Sequence, residues 1–264
     1  MKLNNLLFID DFSYWSNRYL VRNEVGHPIS SFYGYKIAGF WNNTNELATA
    51  DAAAQHATGD PGAIYQTDEG VGRFRYADVN GDGQITEADR TFLGNPNPKF
   101  NYGINLGASY KNFDFSVFFY GVKGNQIWNQ VRWWTDFYPS FAGAKSHTAL
   151  YDSWTPTHMN AKAPIQENVG YASTNADPNS YYIESGSYLR AKNILLGYSL
   201  PESLLKRFSV QSLRFYIQAS NVFTVSKYSG KDPEISGATV TEFGIDEGAY
   251  PTSRQYLIGV SLKF

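Results

Sequence analysis

The 264-residue chain contains no cysteine. This excludes disulfides, thiolate metal sites, iron–sulfur clusters and cysteine nucleophiles. Neither sign of charge dominates: 22 Lys and Arg face 24 Asp and Glu, a formal charge of −2. The strong basic excess of a nucleic-acid binder is therefore missing. No stretch reaches the roughly 18 consecutive apolar residues that a transmembrane helix needs. Near the N-terminus only Leu6, Leu7, Phe8 and Ile9 run together before Asp10. An export signal needs an apolar stretch of about 7–15 residues, so no signal peptide is expected in this chain. The histidines His27, His56, His147 and His158 lack the short pair spacing of a zinc site. Nucleophile elbow, phosphate loop and dinucleotide fingerprint are all missing, and pairs such as Asp10-Asp11 read as solvated carboxylates. The expectation is a protein that is not an enzyme.

What is abundant is aromatic. Twenty Tyr, 18 Phe and 6 Trp make up 17% of the chain, as much as all the charged residues together. Aromatics favour pleated surfaces, and the second half of the chain alternates with period two. In 100–110, Tyr102, Ile104, Leu106, Ala108 and Tyr110 oppose Asn101, Gly103, Asn105, Gly107 and Ser109. Lys111-Asn112 then makes a tight hairpin turn into 113–122, where Phe113, Phe115, Val117 and Phe119 share a face. The pattern returns in 189–200, with Lys192, Ile194, Leu196 and Tyr198 on one face. It returns again in 213–223 and in 255–264, the last with Tyr256, Ile258, Val260, Leu262 and Phe264. Strands in soluble domains peak near about 5–6 residues, whereas a tilted membrane-spanning strand needs about 9–11. Tyr102, Tyr110, Tyr198 and Tyr256 stand where an interfacial aromatic girdle falls.

Connections alternate in length: 111–112 and 201–212 are short, whereas 122–188 and 224–254 are long and polar. Outer-membrane barrels have short periplasmic turns and long extracellular loops. The predicted fold class is all-β: the C-terminal strands of a transmembrane antiparallel β-barrel with long extracellular loops, incomplete as given. Residues 1–99 are expected to form an extracellular loop region and 100–264 the barrel segment. Five strands cannot close a bacterial barrel, which uses an even number from about 8 upward, so the chain reads as part of something larger.

The segment from Asp78 to Asp89 has the spacing of a calcium loop. Asp78, Asn80 and Asp82 would supply oxygens, Gly83 the sharp turn, Gln84 its carbonyl and Asp89 the closing carboxylate. The bland reading is an Asx/Gly turn without metal. Trp128, Trp133, Trp134 and Trp154, with Phe137, Tyr138 and Phe141, sit in the long connection and are candidates for stacking on a ligand or partner. Packing within the loop region would use them equally well.

Several strings together resemble one family. They are Asp78-Val79-Asn80-Gly81-Asp82-Gly83, Asp89-Arg90-Thr91, Gly94-Asn95-Pro96-Asn97-Pro98-Lys99-Phe100 and the upstream Gly26-His27-Pro28-Ile29. Tyr188-Leu189-Arg190-Ala191-Lys192-Asn193, Gly197-Tyr198-Ser199-Leu200-Pro201, Ala219-Ser220-Asn221-Val222-Phe223, Asp232-Pro233-Glu234 and the final 256–264 complete the set. They are similar to SusC/RagA-family TonB-dependent transporters. The resemblance implies an outer-membrane barrel of a Bacteroidetes-type Gram-negative bacterium that imports glycans or peptides. Its implied partners are a SusD-like surface lipoprotein, the TonB complex acting through an N-terminal part, and the outer-membrane assembly machinery. Phe264 resembles the terminal aromatic signal that this machinery reads. The chain is expected to be a fragment not competent for transport alone, and its sequence does not identify the substrate. The competing expectation is a secreted, calcium-stabilised β-sandwich that binds carbohydrate.

Overall fold

The computed structural model describes residues 20–137, 145–169, 173–206, 210–235 and 243–264. In chain order its regular elements begin with strands β1 (Val21–Arg22), β2 (Ser31–Gly34) and β3 (Ile37–Phe40), then helix α1 (Thr44–Thr58). Strands β4 (Phe74–Tyr76), β5 (Thr91–Gly94), β6 (Phe100–Tyr110), β7 (Phe113–Lys123) and β8 (Gln126–Asn129) follow. After several short helical turns come β9 (Ile183–Ser185), β10 (Tyr188–Ser199), β11 (Ser212–Ser220), β12 (Thr224–Ser226), β13 (Ile245–Asp246) and β14 (Gln255–Lys263). The chain divides into two compact units.

One unit gathers residues 98–125, 185–234 and 250–264. Its single sheet runs β14-β11-β10-β7-β6, with β12 added against β10, and every pairing is antiparallel. The five long strands are thus neighbours in the order in which the chain makes them, an up-and-down meander. Directly opposed residues share a face of a sheet, so the registers define two faces. On one lie Ile104, Phe119, Leu106, Val117, Ile194, Leu196, Ile217, Phe215, Ile258 and Val260. This apolar face is open: Ile258 is 82% exposed, Val260 57% and Leu106 53%. A β-sandwich would bury that face against a second sheet, and among the described residues none covers it. The sandwich expectation therefore fails on burial.

The opposite face carries Asn105, Asp114, Ser116, Asn193, Arg214 and Gln218 among Tyr120, Tyr216 and Leu257. Here Arg214 on β11 forks onto Asp114 on β7, its Nε 3.0 Å from Oδ1. The two strands are separated by β10, and the bridge passes over Gly197. A Cβ at that position would lie 2.3 Å from the guanidinium and 2.4 Å from the carboxylate. Gly259 serves Tyr216 likewise, since a Cβ there would meet the phenol ring at 2.3 Å.

Two details depart from strict alternation. The apolar parity expected for Lys192 is broken by a β-bulge: Ala191 pairs with Phe119 and Asn193 with Phe118, leaving Lys192 as the extra residue. Across from it β11 ends at Ser220 rather than 223, because Asn221 turns with φ 54°. The chain rejoins β10 as β12. The bulge thus takes a cation out of an apolar stripe, which removes the reason for its parity to match.

The second unit gathers residues 1–97, 126–184 and 235–249. Its small sheets are β1-β2-β5, β3-β4 and β13-β8-β9. The core is aromatic: Phe32, Trp128, Trp133, Phe137 and Tyr182 cluster with Leu20, Val21 and Ile245. Tyr35, Phe74 and Tyr76 form a second cluster. Helix α1 is capped at its start by Asn43, whose side chain accepts from the Glu46 N–H, and stopped by Gly59 in the left-handed region.

Candidate functional site

Two of the sequence strings, 42 residues apart, form one ion cluster. Arg190 on β10 is 2% exposed and donates to three partners. They are Asp232, Glu234 (Nη1 to Oε2, 2.6 Å) and the Thr224 hydroxyl (Nε to Oγ1, 2.8 Å). Lys192 completes it, with Nζ 2.9 Å from the same Glu234 oxygen. Asp232 also accepts from the Thr252 N–H at 2.9 Å and from the Glu234 N–H at 2.9 Å. Burial works against its ionisation, but the two backbone donors and the Arg190 guanidinium outweigh this and hold its carboxyl below the usual range. The cluster is on the polar face, because Arg190 opposes Tyr120. Its effect is to clamp the 224–234 and 252 segments onto β10. Sequence reasoning picked out both strings but not their pairing, for which one sequence carries no signal.

The predicted calcium residues form a loop that closes on itself. Asp78 accepts from the N–H groups of Gly81 and Gly83 at 2.6 and 2.9 Å. Asn80 accepts from the Asp82 N–H, and Asp82 from the Gln84 N–H, both at 2.9 Å. The Gln84 amide donates to the Ile64 carbonyl. Asp89 is fully buried. It accepts from the N–H groups of Val79 and Thr86, each at 2.8 Å, and more distantly from the Asn80 N–H and the Thr86 hydroxyl. Among the described residues no three acidic or histidine side chains are arranged to hold a metal. As arranged, the side-chain oxygens of Asp78, Asn80, Asp82 and Asp89 accept from the loop's own N–H groups, and Asp89 ties the loop down. Asp89→Ala is expected to open it, at about 1–3 kcal/mol for each buried donor left without an acceptor. Limited proteolysis reads this as new cleavage within 78–89. Cleavage there no faster than in wild type would overturn that account.

The tryptophans named as candidates for stacking, with loop packing as the alternative, are mostly buried. Trp128, Trp133 and Trp154 are 2%, 4% and 2% exposed, and Trp134 packs against the same cluster. Their ring N–H groups have internal partners: Trp128 donates to Gln130, Trp133 to the Ala176 carbonyl and Trp154 to Asn42. Phe137 joins this core, while Tyr138 and Phe141 lie outside the described residues. Around them Asp136, 1% exposed, receives Arg132 Nε at 3.0 Å and the Tyr181 hydroxyl at 2.7 Å. Burial pushes the Tyr181 hydroxyl well above its ordinary range, although Arg132 opposes this. Phe264 follows β14 and is 76% exposed.

No family model matches the chain. It is similar to TonB-dependent receptor P3 of Formosa agariphila, with 33% identity over 246 residues, 90% of this chain and 22% of that one. It is 30% identical over 191 residues to TonB-dependent receptor SusC of Bacteroides thetaiotaomicron, 72% of this chain and 17% of that one. The chain belongs to the SusC/RagA-type TonB-dependent receptors. Its fold matches solved structures of the RagAB peptide importer, with a TM-score of 0.69 and 22% identity in the open-open state. That match covers all of this chain and 25% of the other. The chain therefore spans about a quarter or less of the relatives it matches. As a segment of a β-barrel outer-membrane protein, its open apolar face has lipid as its natural solvent, and the face of Asp114, Arg190 and Arg214 is turned away from it. This explains why so many large apolar side chains are exposed without a core partner.

Proposed function

We propose that this chain is the strand wall and associated loop region of an outer-membrane importer of glycans. In this reading TonB-supplied energy drives uptake, a SusD-like surface lipoprotein serves as partner, and the chain works only within a longer polypeptide. The observation that supports it best is the two-faced antiparallel wall of strands 9–12 residues long. Its apolar face is open, and it occurs in a chain similar to SusC. The role is passage and selection of cargo rather than catalysis. The unit of residues 1–97, 126–184 and 235–249 would face the outside and meet cargo or the lipoprotein first.

The test is made in the source bacterium with the gene that encodes this segment. Deleting it is expected to abolish uptake of fluorescently labelled oligosaccharides released from the bacterium's growth polysaccharide, while monosaccharide uptake continues. Affinity purification of the intact protein should bring down a surface lipoprotein. Unchanged oligosaccharide uptake, with impaired growth on peptides instead, would shift the proposal from glycans to peptides.

A further inference from the structure

We propose that the cleft around Arg75 binds an acidic oligosaccharide, with the Arg75 guanidinium holding a sugar carboxylate. This rests on the glycan reading above and names the cargo chemistry. Arg75 lies in the middle of β4, between the buried Phe74 and Tyr76. Its guanidinium is backed by aromatic rings, 4.9 Å from the Trp41 centroid and 5.7 Å from that of Tyr65. Arg22, Arg73, Arg90, Arg132, Arg190 and Arg214 each have a carboxylate within 4 Å. Arg75 has none among the described residues. Its Nε is buried without an acceptor. The Tyr65 hydroxyl bonds this side chain, but no carboxylate balances its charge, and an anionic acceptor from outside would do so.

The space for such an acceptor is present. A cleft of about 820 Å³ is lined by Arg75 together with Phe40, Asn42, Asn43, Glu46, Met159 and Asn160. A second cleft of about 440 Å³ shares Asn43, Glu46 and Arg75 and continues past Thr49 and Tyr65. The carboxylate in this lining, Glu46, is already engaged. It accepts from the Asn42 N–H at 3.0 Å and the Asn43 amide at 3.2 Å, and stands in the first turn of the 15-residue α1. That helix start favours negative charge as well. The cleft thus presents a guanidinium without a carboxylate partner, the Asn160 amide, and limited apolar wall at Phe40 and Met159, while the Asn42 and Asn43 amides are held by Trp154, Phe40 and Glu46. Hydroxyl-rich rings carrying carboxylates match this better than an acidic peptide, whose side chains would need further apolar pockets. Guanidinium and carboxylate fit as two parallel charge-assisted bonds.

The test uses the full chain in detergent micelles, with oligogalacturonate of four to eight units as probe. A neutral cello-oligosaccharide and a glutamate hexapeptide serve as comparators, with binding followed by calorimetry. Wild type is expected to bind oligogalacturonate and to lose affinity as salt rises. Arg75→Gln should weaken it at least tenfold, and Arg75→Lys by less, since the charge stays and the fork is lost. If Arg75→Gln changes the fold, seen as a shifted circular dichroism melt, Met159→Glu gives the second reading. It adds a repelling carboxylate to the cleft wall at a 44% exposed side chain and should weaken the acidic probe while leaving the neutral one unchanged. Equal affinity in wild type and both variants, or tighter binding of the hexapeptide, overturns the proposal. Binding of the neutral sugar alone overturns it too, yet leaves glycan import standing. Loss of import function with acidic-sugar binding intact would strike the import reading and not this one.

Discussion

Arg190→Met should cost about 3–5 kcal/mol, the usual penalty for removing one partner of a buried ion pair. The loss arises on the acidic side. Asp232 is 7% exposed and its charge would keep two backbone donors but no cation. Arg190→Lys is expected to recover only part, because one ammonium cannot serve Asp232, Glu234 and the Thr224 hydroxyl in the planar fork that these bonds use. The double variant Arg190→Met with Asp232→Asn should be milder than the single one, since the stranded charge is gone. Urea unfolding of micelle-held protein measures the ranking. Cleavage between residues 224 and 252 should rise first in Arg190→Met, because the cluster is what fastens that segment to β10. A single variant as stable as wild type would mean that the cluster is not a clamp.

Ile217→Arg is expected to lower stability by about 2–4 kcal/mol in a bilayer, although the side chain is 52% exposed. In water an exposed isoleucine exchanged for arginine lies within about 0.5 kcal/mol of neutral. Ile217 sits between Leu196 and Ile258 on the apolar face, so its surroundings are lipid and the arginine must be desolvated or snorkel out. Gln218→Arg, one residue along and on the opposite face, should be tolerated. The measurement is the fraction of heat-modifiable, folded protein in lipid vesicles for the two variants within the complete transporter. Equal behaviour of both would contradict the assignment of the two faces.

The long strands were legible because lipid on one side and polar surroundings on the other impose a strict period of two over many residues, as in Tyr102 to Tyr110. Helix α1 was not, for the opposite reason. Of its residues only Ala54 is buried, so no apolar stripe announces it, and its signals are alanine content, the Asn43 cap with Glu46 beyond it, and Gly59. The tryptophans left two readings open in the sequence, ligand contact or loop packing; the loop region needs its own core, and Trp128, Trp133 and Trp154 are buried in it. The 78–89 spacing was read for its oxygens. What the spacing could not show is that Asp89 turns them into a closed set of turns by taking backbone N–H groups for itself. Arg75 carried no motif at all. Its isolation from carboxylates is a fact of three dimensions.

The bulge at Lys192 gives β10 the logic of a reading frame. Residues up to 191 and residues from 193 onward alternate in two different phases, and the extra residue is the frameshift that joins them. Losing one residue from 194–199 with the bulge kept would put one phase out of step. Either Ile194 and Leu196 would then leave the lipid face, or Arg190 would be driven onto it and torn from Asp232 and Glu234. Losing Lys192 itself would merge the phases and strand Glu234 without its second cation. Removing two residues would keep the phase and shorten the wall instead. Outside the bulge, where one residue can be lost with both faces kept, length variation in this strand is therefore restricted to even steps.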